Sequence, residues 1–217
     1  MRELIYKEFK LAKHPTMFIF PIFAAMLLIP SYPYALAFMY TILAVFYMFL
    51  SARENNDVLF TVLLPIRKRD AVKARFAIVL IMEIVQVIVC IPFAIISSKI
   101  NPNIAGNSAG IEANAALFGF ALIMFAVFNL IFLPMFDKTG YKIGIPFVIA
   151  ALAVTVLIGI VETMINIIPY FKQTLDTVGL FHINHIIILV LGIVIYAVLT
   201  FFAYKLSVKR FERTDVK

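Results

Sequence analysis

Long stretches without a formal charge alternate along this chain with short basic clusters, and the length of the stretches sets the architecture. From His14 to Ala52 there are 39 residues with no Asp, Glu, Lys or Arg, and a single helix of that length would run about 58 Å at 1.5 Å per residue. A bilayer core is only about 30 Å thick, so the chain has to reverse. Pro30-Ser31-Tyr32-Pro33 supplies the break, because proline ends helices and serine favours turns. Spans are therefore expected over residues 15–29 and 34–52, followed by a third over 73–97 interrupted by Glu83, an uncharged fourth over 113–136, a fifth over 143–168 that holds Glu162, and a sixth over 185–204. The pattern predicts an all-α polytopic membrane protein of six spans, with one transmembrane domain filling residues 1–217.

Two segments outside the spans carry their own patterns. Residues 1–13 place Leu4, Ile5, Phe9 and Ala12 on one helical face and Lys7, Lys10 and Lys13 on another, which suits a helix lying in the membrane interface. That helix either anchors the chain or contacts another subunit. The stretch Arg53 to Phe76 is polar except for a run from Val58 to Leu64; seven helical residues cover about 10 Å, too few to span. Asn56 or Asp57 can cap this short helix, Pro65 stops it, and Asp70 can cap the third span. Its Phe60, Leu63 and Leu64 need either lipid or a protein partner to cover them.

Composition agrees: 64% of the residues are apolar and 14% charged, with a mean hydropathy of +1.03, whereas soluble domains carry about 25% charge. The basic residues give orientation. With the N-terminus inside, all but Lys99 and Lys172 of the 19 Lys and Arg fall on the cytoplasmic side, as the positive-inside rule requires. Both termini are thus expected in the cytoplasm, and the net charge of +7 reflects topology rather than a nucleic-acid surface. Glu3 and Glu8 interleave with the first basic residues and no small-residue cleavage site precedes the second span, so the N-terminal segment is expected to stay attached. Cys90 is the one cysteine, which leaves no intramolecular disulfide or cysteine metal cluster. Trp is absent, and Tyr32, Tyr34, Tyr141, Tyr170 and Tyr204 near the span ends take the interfacial aromatic role.

Polar residues within the spans are costly unless they face protein or water. Glu83 and Gln86 share a face of the third span, Glu162 and Asn166 share one in the fifth, and Asn129 stands alone in the fourth. They either line a translocation surface or bond helix to helix. His182 and His185, near the outer end of the sixth span, are conceivable with Glu162 as a metal site, but no HExxH or similar signature accompanies them. None of the eight glycines begins a GxxxxGK[ST] phosphate loop, and no nucleophile-elbow pattern is present.

The order of elements, together with Glu54, Asp57, Leu64, Pro65 and the basic run from Arg67 to Arg75, resembles the type-2 permease subunits of bacterial ATP-binding-cassette exporters, most of all the small permeases of phenol-soluble-modulin exporters. The resemblance covers the whole chain in layout. It implies that residues 54–66 form a cytoplasmic coupling segment docking on a separate ATPase subunit, with Asp57 to Leu64 as the helix, Glu54 and Asn55 at its approach, and Phe60, Leu63 and Leu64 at the contact. Glu54 and Asp57 would then fix its register as rim charges. It further implies no cofactor on this chain, ATP and magnesium on the partner, a second permease chain forming a homo- or heterodimer, residence in the bacterial cytoplasmic membrane, and amphipathic peptides or lipid-like molecules as cargo. A different class stays open: an intramembrane enzyme or ion-coupled carrier using Glu83, Glu162 and the His182/His185 pair. Dependence on a partner ATPase separates the two.

Overall fold

A computed structural model of the chain describes residues 2–30, 32–100, 107, 109–177 and 182–214. Every regular element among them is helical: α1 (Arg2–Ala12), α2 (Thr16–Ile19) running into a 3-10 segment (Phe20–Leu28), α3 (Ala35–Glu54), α4 (Asp57–Leu63), α5 (Lys68–Ile100), α6 (Ala115–Asp137), α7 (Gly144–Ile167), α8 (Pro169–Leu175) and α9 (Ile183–Glu212). Five helices, α3, α5, α6, α7 and α9, are long and apolar enough to cross a membrane, and the pair Arg2–Ala12 and Thr16–Leu28, bent by 102°, makes up to six. The protein is an all-α multi-pass membrane protein.

The expected first span is the irregular one. Most of it is the nine-residue 3-10 segment, which holds Pro21 near its start; at a rise of about 2.0 Å per residue it reaches about 18 Å, further than the same residues in an α-helix. It packs on α5 and α3. The helices of the third and sixth spans outrun the ranges expected for them, residues 73–97 and 185–204. Helix α5 has 33 residues and α9 has 30, about 50 and 45 Å at the α-helical rise, so both project beyond the bilayer core and carry their basic residues on the projecting turns. Since α5 begins at Lys68, Asp70 lies in its first turn rather than at its cap. The turn after α7 contains a helix the charge pattern did not predict: Pro169 opens α8, where a missing N–H costs nothing.

Helix α6 is the centre of the bundle, with two thirds of its most apolar window buried. Phe128, Phe132 and Phe136 repeat every fourth residue along it, and Phe49 of α3 meets Phe132 and Phe136 edge-on at 4.9 and 4.7 Å. On its other side α6 touches α9 backbone to backbone. A Cβ on Gly119 would lie 2.5 Å from the Ile188 carbonyl oxygen, so only glycine permits this approach.

One end of the bundle gathers α1, α4, the start of α5 and the ends of α6 and α9. There Arg75 forms a buried ion pair with Asp137, and its guanidinium lies 5.1 Å from the Phe136 ring and 5.5 Å from the Phe211 ring. Thr214 Oγ1 sits within hydrogen-bond distance of the Asp137, Lys138 and Arg210 carbonyls, at 3.1, 3.0 and 2.9 Å. At the opposite end Asp176 accepts from the backbone N–H groups of Asn107 and Glu112 at 3.0 and 2.9 Å. Asn114 caps α6 there by accepting from the Ala116 and Leu117 N–H groups.

Candidate functional site

Helix α4 exists because Asn56 turns the chain sharply. This residue adopts left-handed backbone angles (φ 51°) between α3 and α4 and makes no side-chain cap bond, a conformation asparagine tolerates better than most residues. Leu64 is already extended and closes the helix ahead of Pro65. Over its seven residues the buried positions are Asp57, Val58 and Thr61, one helical face. Leu59, Phe60, Val62 and Leu63 form the other, with Phe60 at 48% and Leu63 at 77% exposure.

The inner face is held by charge. Lys7 of α1 donates to Asp57 at 2.7 Å and to Glu8 at 2.8 Å, and also bonds Thr61. Asp57, expected as a rim charge of the contact, is therefore fully buried and turned toward α1; it anchors α4 from behind. Lys7 likewise leaves the solvated face expected for it, and the buried residues of α1 are Glu8 and Ala12. Phe9 is exposed and meets Phe18 edge-on at 6.3 Å instead of packing inward. Burial pushes the Glu8 carboxyl above its ordinary value, against the nearby Arg75 guanidinium, so the underside of α1 faces the same cation that pairs with Asp137. Of the other expected contact residues, Glu54 is exposed, Leu64 is half-buried, and Asn55 donates to the Leu11 carbonyl at 2.7 Å. That bond ties the approach of α4 to α1 as well.

The intramembrane candidates fall into separate places. Glu83 and Gln86 both face the interior, as their spacing predicts, and both are buried. Glu83 Oε2 accepts from Asn129 Nδ2 at 3.1 Å and from the Tyr196 hydroxyl at 2.6 Å, which joins α5, α6 and α9. Asn129 is thus not alone, and Tyr196 is a participant that sequence reasoning missed. Gln86 Nε2 donates to the Ala37 carbonyl at 3.2 Å and to Cys90 Sγ at 3.4 Å, adding α3. Glu83 Oε1, Gln86 Oε1 and Asn129 Oδ1 are buried without a hydrogen-bond partner among the described residues.

Glu162 lies elsewhere, on an apolar cavity of about 120 Å³ whose lining includes Phe38, Leu117, Phe120, Met124 and Val161, and it is the one ionisable residue there. Asn166 does not extend that polar spot: it is exposed and donates to the carbonyl of Glu162 in its own helix at 3.0 Å. His182 is exposed and His185 buried, with their rings 5.2 Å apart. His185 Nε2 lies 3.3 Å from Thr177 Oγ1 and 3.5 Å from Asn114 Nδ2. Among the described residues no three His, Cys, Asp or Glu side chains converge on a metal position. Glu83, Glu162 and the histidine pair are not assembled into one centre.

Comparison with known proteins adds one match: the family described as ABC-2 family transporter protein fits residues 3–212. No curated protein and no solved structure shows significant similarity to the chain.

Proposed function

The chain belongs to the ABC-2 transporter family, and from that premise we propose that it is the permease of an exporter driven by a separate ATP-binding-cassette ATPase that docks on α4. Membership makes it a transport subunit rather than an enzyme. ATP and magnesium then bind the ATPase, and a second permease chain, identical or different, completes the pathway. In this reading α1, α4 and both termini face the cytoplasm, as the positive-inside asymmetry favours, and the membrane is the bacterial cytoplasmic membrane, as the resemblance implies.

The observation that carries this reading is the two-sidedness of α4. A helix of seven residues gains little stability by itself, yet this one is fixed by the Lys7–Asp57 ion pair on one face and leaves Leu59, Phe60, Val62 and Leu63 uncovered on the other. A rigid apolar knob on an ion-locked base is suited to transmit a push. Displacement of α4 pulls on α1 through Lys7, and α1 packs along α5, whose Glu83 bonds reach α6 and α9. The cargo in this reading is an amphipathic peptide or lipid-like molecule, as the family resemblance implies; the cavity of about 120 Å³ beside Glu162 is too small to hold it within one chain. The ion-coupled reading has less support, because its proposed residues are dispersed.

Phe60→Ala with Leu63→Ala tests the docking. Burying such side chains is worth about 1.5 to 3 kcal/mol each, so co-purification of the ATPase from mild detergent should weaken at least tenfold and transport should uncouple, while insertion is unchanged. Full association and full transport in the double variant would show that α4 only rests on lipid.

A further inference from the structure

At the same end of the bundle, apart from α4, the turn after α6 and the end of α9 border an open hollow lined by Lys138, Thr139, Tyr141, Arg210, Arg213 and Thr214. Its volume is about 570 Å³, within the range of small-ligand sites of about 300–1,000 Å³. We propose that this pocket binds the phosphate headgroup of an anionic phospholipid from the adjoining leaflet.

Charge is the first ground. Among the described residues, three cations and no carboxylate line the pocket. The cations of the ion pairs among the described residues are only Lys7 and Arg75, so Lys138, Arg210 and Arg213 enter no ion pair with a described residue. The dipoles of α6 and α9, both ending at this point, favour cations on each helix; bringing the two ends together concentrates them around one hollow. Arginine matches phosphate oxygens with paired N–H donors, and Arg210 and Arg213 supply two such groups here.

The walls are fixed before any ligand arrives. The Thr214 hydroxyl lies within reach of carbonyls from both helix ends and donates to one of them at a time, and Lys68 Nζ donates to the Thr214 carbonyl at 2.8 Å. Gly140, at φ 74°, makes the tight turn after α6, and Thr139 Oγ1 accepts from the Lys142 N–H at 3.2 Å.

Location selects a lipid over a soluble phosphate. The first turns of α7 expose Ile145 and Val148, and the last apolar turns of α9 expose Phe202 and Leu206. These strips lead from the pocket along the spans, where acyl chains lie, and the exposed Tyr141 ring sits at the rim as an interfacial anchor. Basic pockets at the cytoplasmic ends of membrane helices recognise headgroups in this way.

The test uses the purified full chain in neutral detergent, with native mass spectrometry and thermal melting in the presence of phosphatidylglycerol, phosphatidylcholine or inorganic phosphate. Phosphatidylglycerol should bind at least tenfold more tightly than phosphatidylcholine and raise the melting temperature, and inorganic phosphate should do neither. Arg210→Gln with Arg213→Gln should remove the preference while leaving the lipid-free melting temperature unchanged. Lys10→Gln with Lys13→Gln, which removes equal charge from α1, should retain it. Equal binding of the two lipids, equal loss in the α1 variant, or an equal shift by inorganic phosphate would each overturn the proposal.

Discussion

Replacing Arg75 with alanine should destabilise the folded chain by about 3–5 kcal/mol, the usual cost of stranding one member of a buried ion pair. Arg75 and Asp137 are both buried, and the guanidinium also lies over Phe136 and Phe211. Its removal leaves Asp137 without its cation at the point where α5, α6 and α9 meet, and opens a cavity between two aromatic rings. Charge alone is not the cause, so Arg75→Lys should recover only part of the loss: an ammonium keeps the pair but not the planar stacking. Arg75→Met with Asp137→Leu should recover more, because hydrophobic replacement of a buried pair is often neutral. Equilibrium unfolding in mixed detergent measures each variant. A cost below about 1 kcal/mol for Arg75→Ala would mean that the pair is open to solvent and does not organise this end.

The second large effect belongs to Glu83, and its sign depends on the substitute. Glu83→Leu fills a similar volume but leaves the buried Asn129 amide and the half-buried Tyr196 hydroxyl without their acceptor. At about 1–3 kcal/mol for each stranded group, the loss should reach about 2–6 kcal/mol in the same unfolding measurement. Glu83→Gln keeps an acceptor oxygen for both donors and should stay within about 1 kcal/mol of the parent, with transport retained. If Glu83→Gln folded normally but abolished transport, the carboxyl would have a role beyond hydrogen bonding, and the ion-coupled reading would regain ground.

The spans were legible because a bilayer demands an unbroken apolar run, a condition the sequence meets or fails locally. Their ends were not. Lys68 to Val72 and Lys205 to Glu212 lie outside the spans a charge count gives, yet they continue α5 and α9, since a helix that leaves the bilayer is free to be polar. Helix α4 showed in the seven-residue apolar run, but its orientation did not. Asp57 beside that run looked like a solvated rim charge, and only the fold brings Lys7 across 50 positions to bury it. Tyr196 escaped for a related reason. A tyrosine inside an apolar span carries no periodic signature, and its partner Glu83 is 113 positions away. The basic pocket is the same kind of feature: Lys138 and Arg213 each obey the positive-inside rule, and the hollow between them appears only when α6 and α9 pack.

Coupling through α4 is tested most directly by site-specific photo-crosslinking in intact membranes. A photo-reactive phenylalanine analogue in place of Phe60 should join this chain to its ATPase on illumination, and the same analogue in place of Ile145, on the lipid-facing side of α7, should not. Crosslinks from position 60 to lipid alone, with none to an ATPase, would contradict the account.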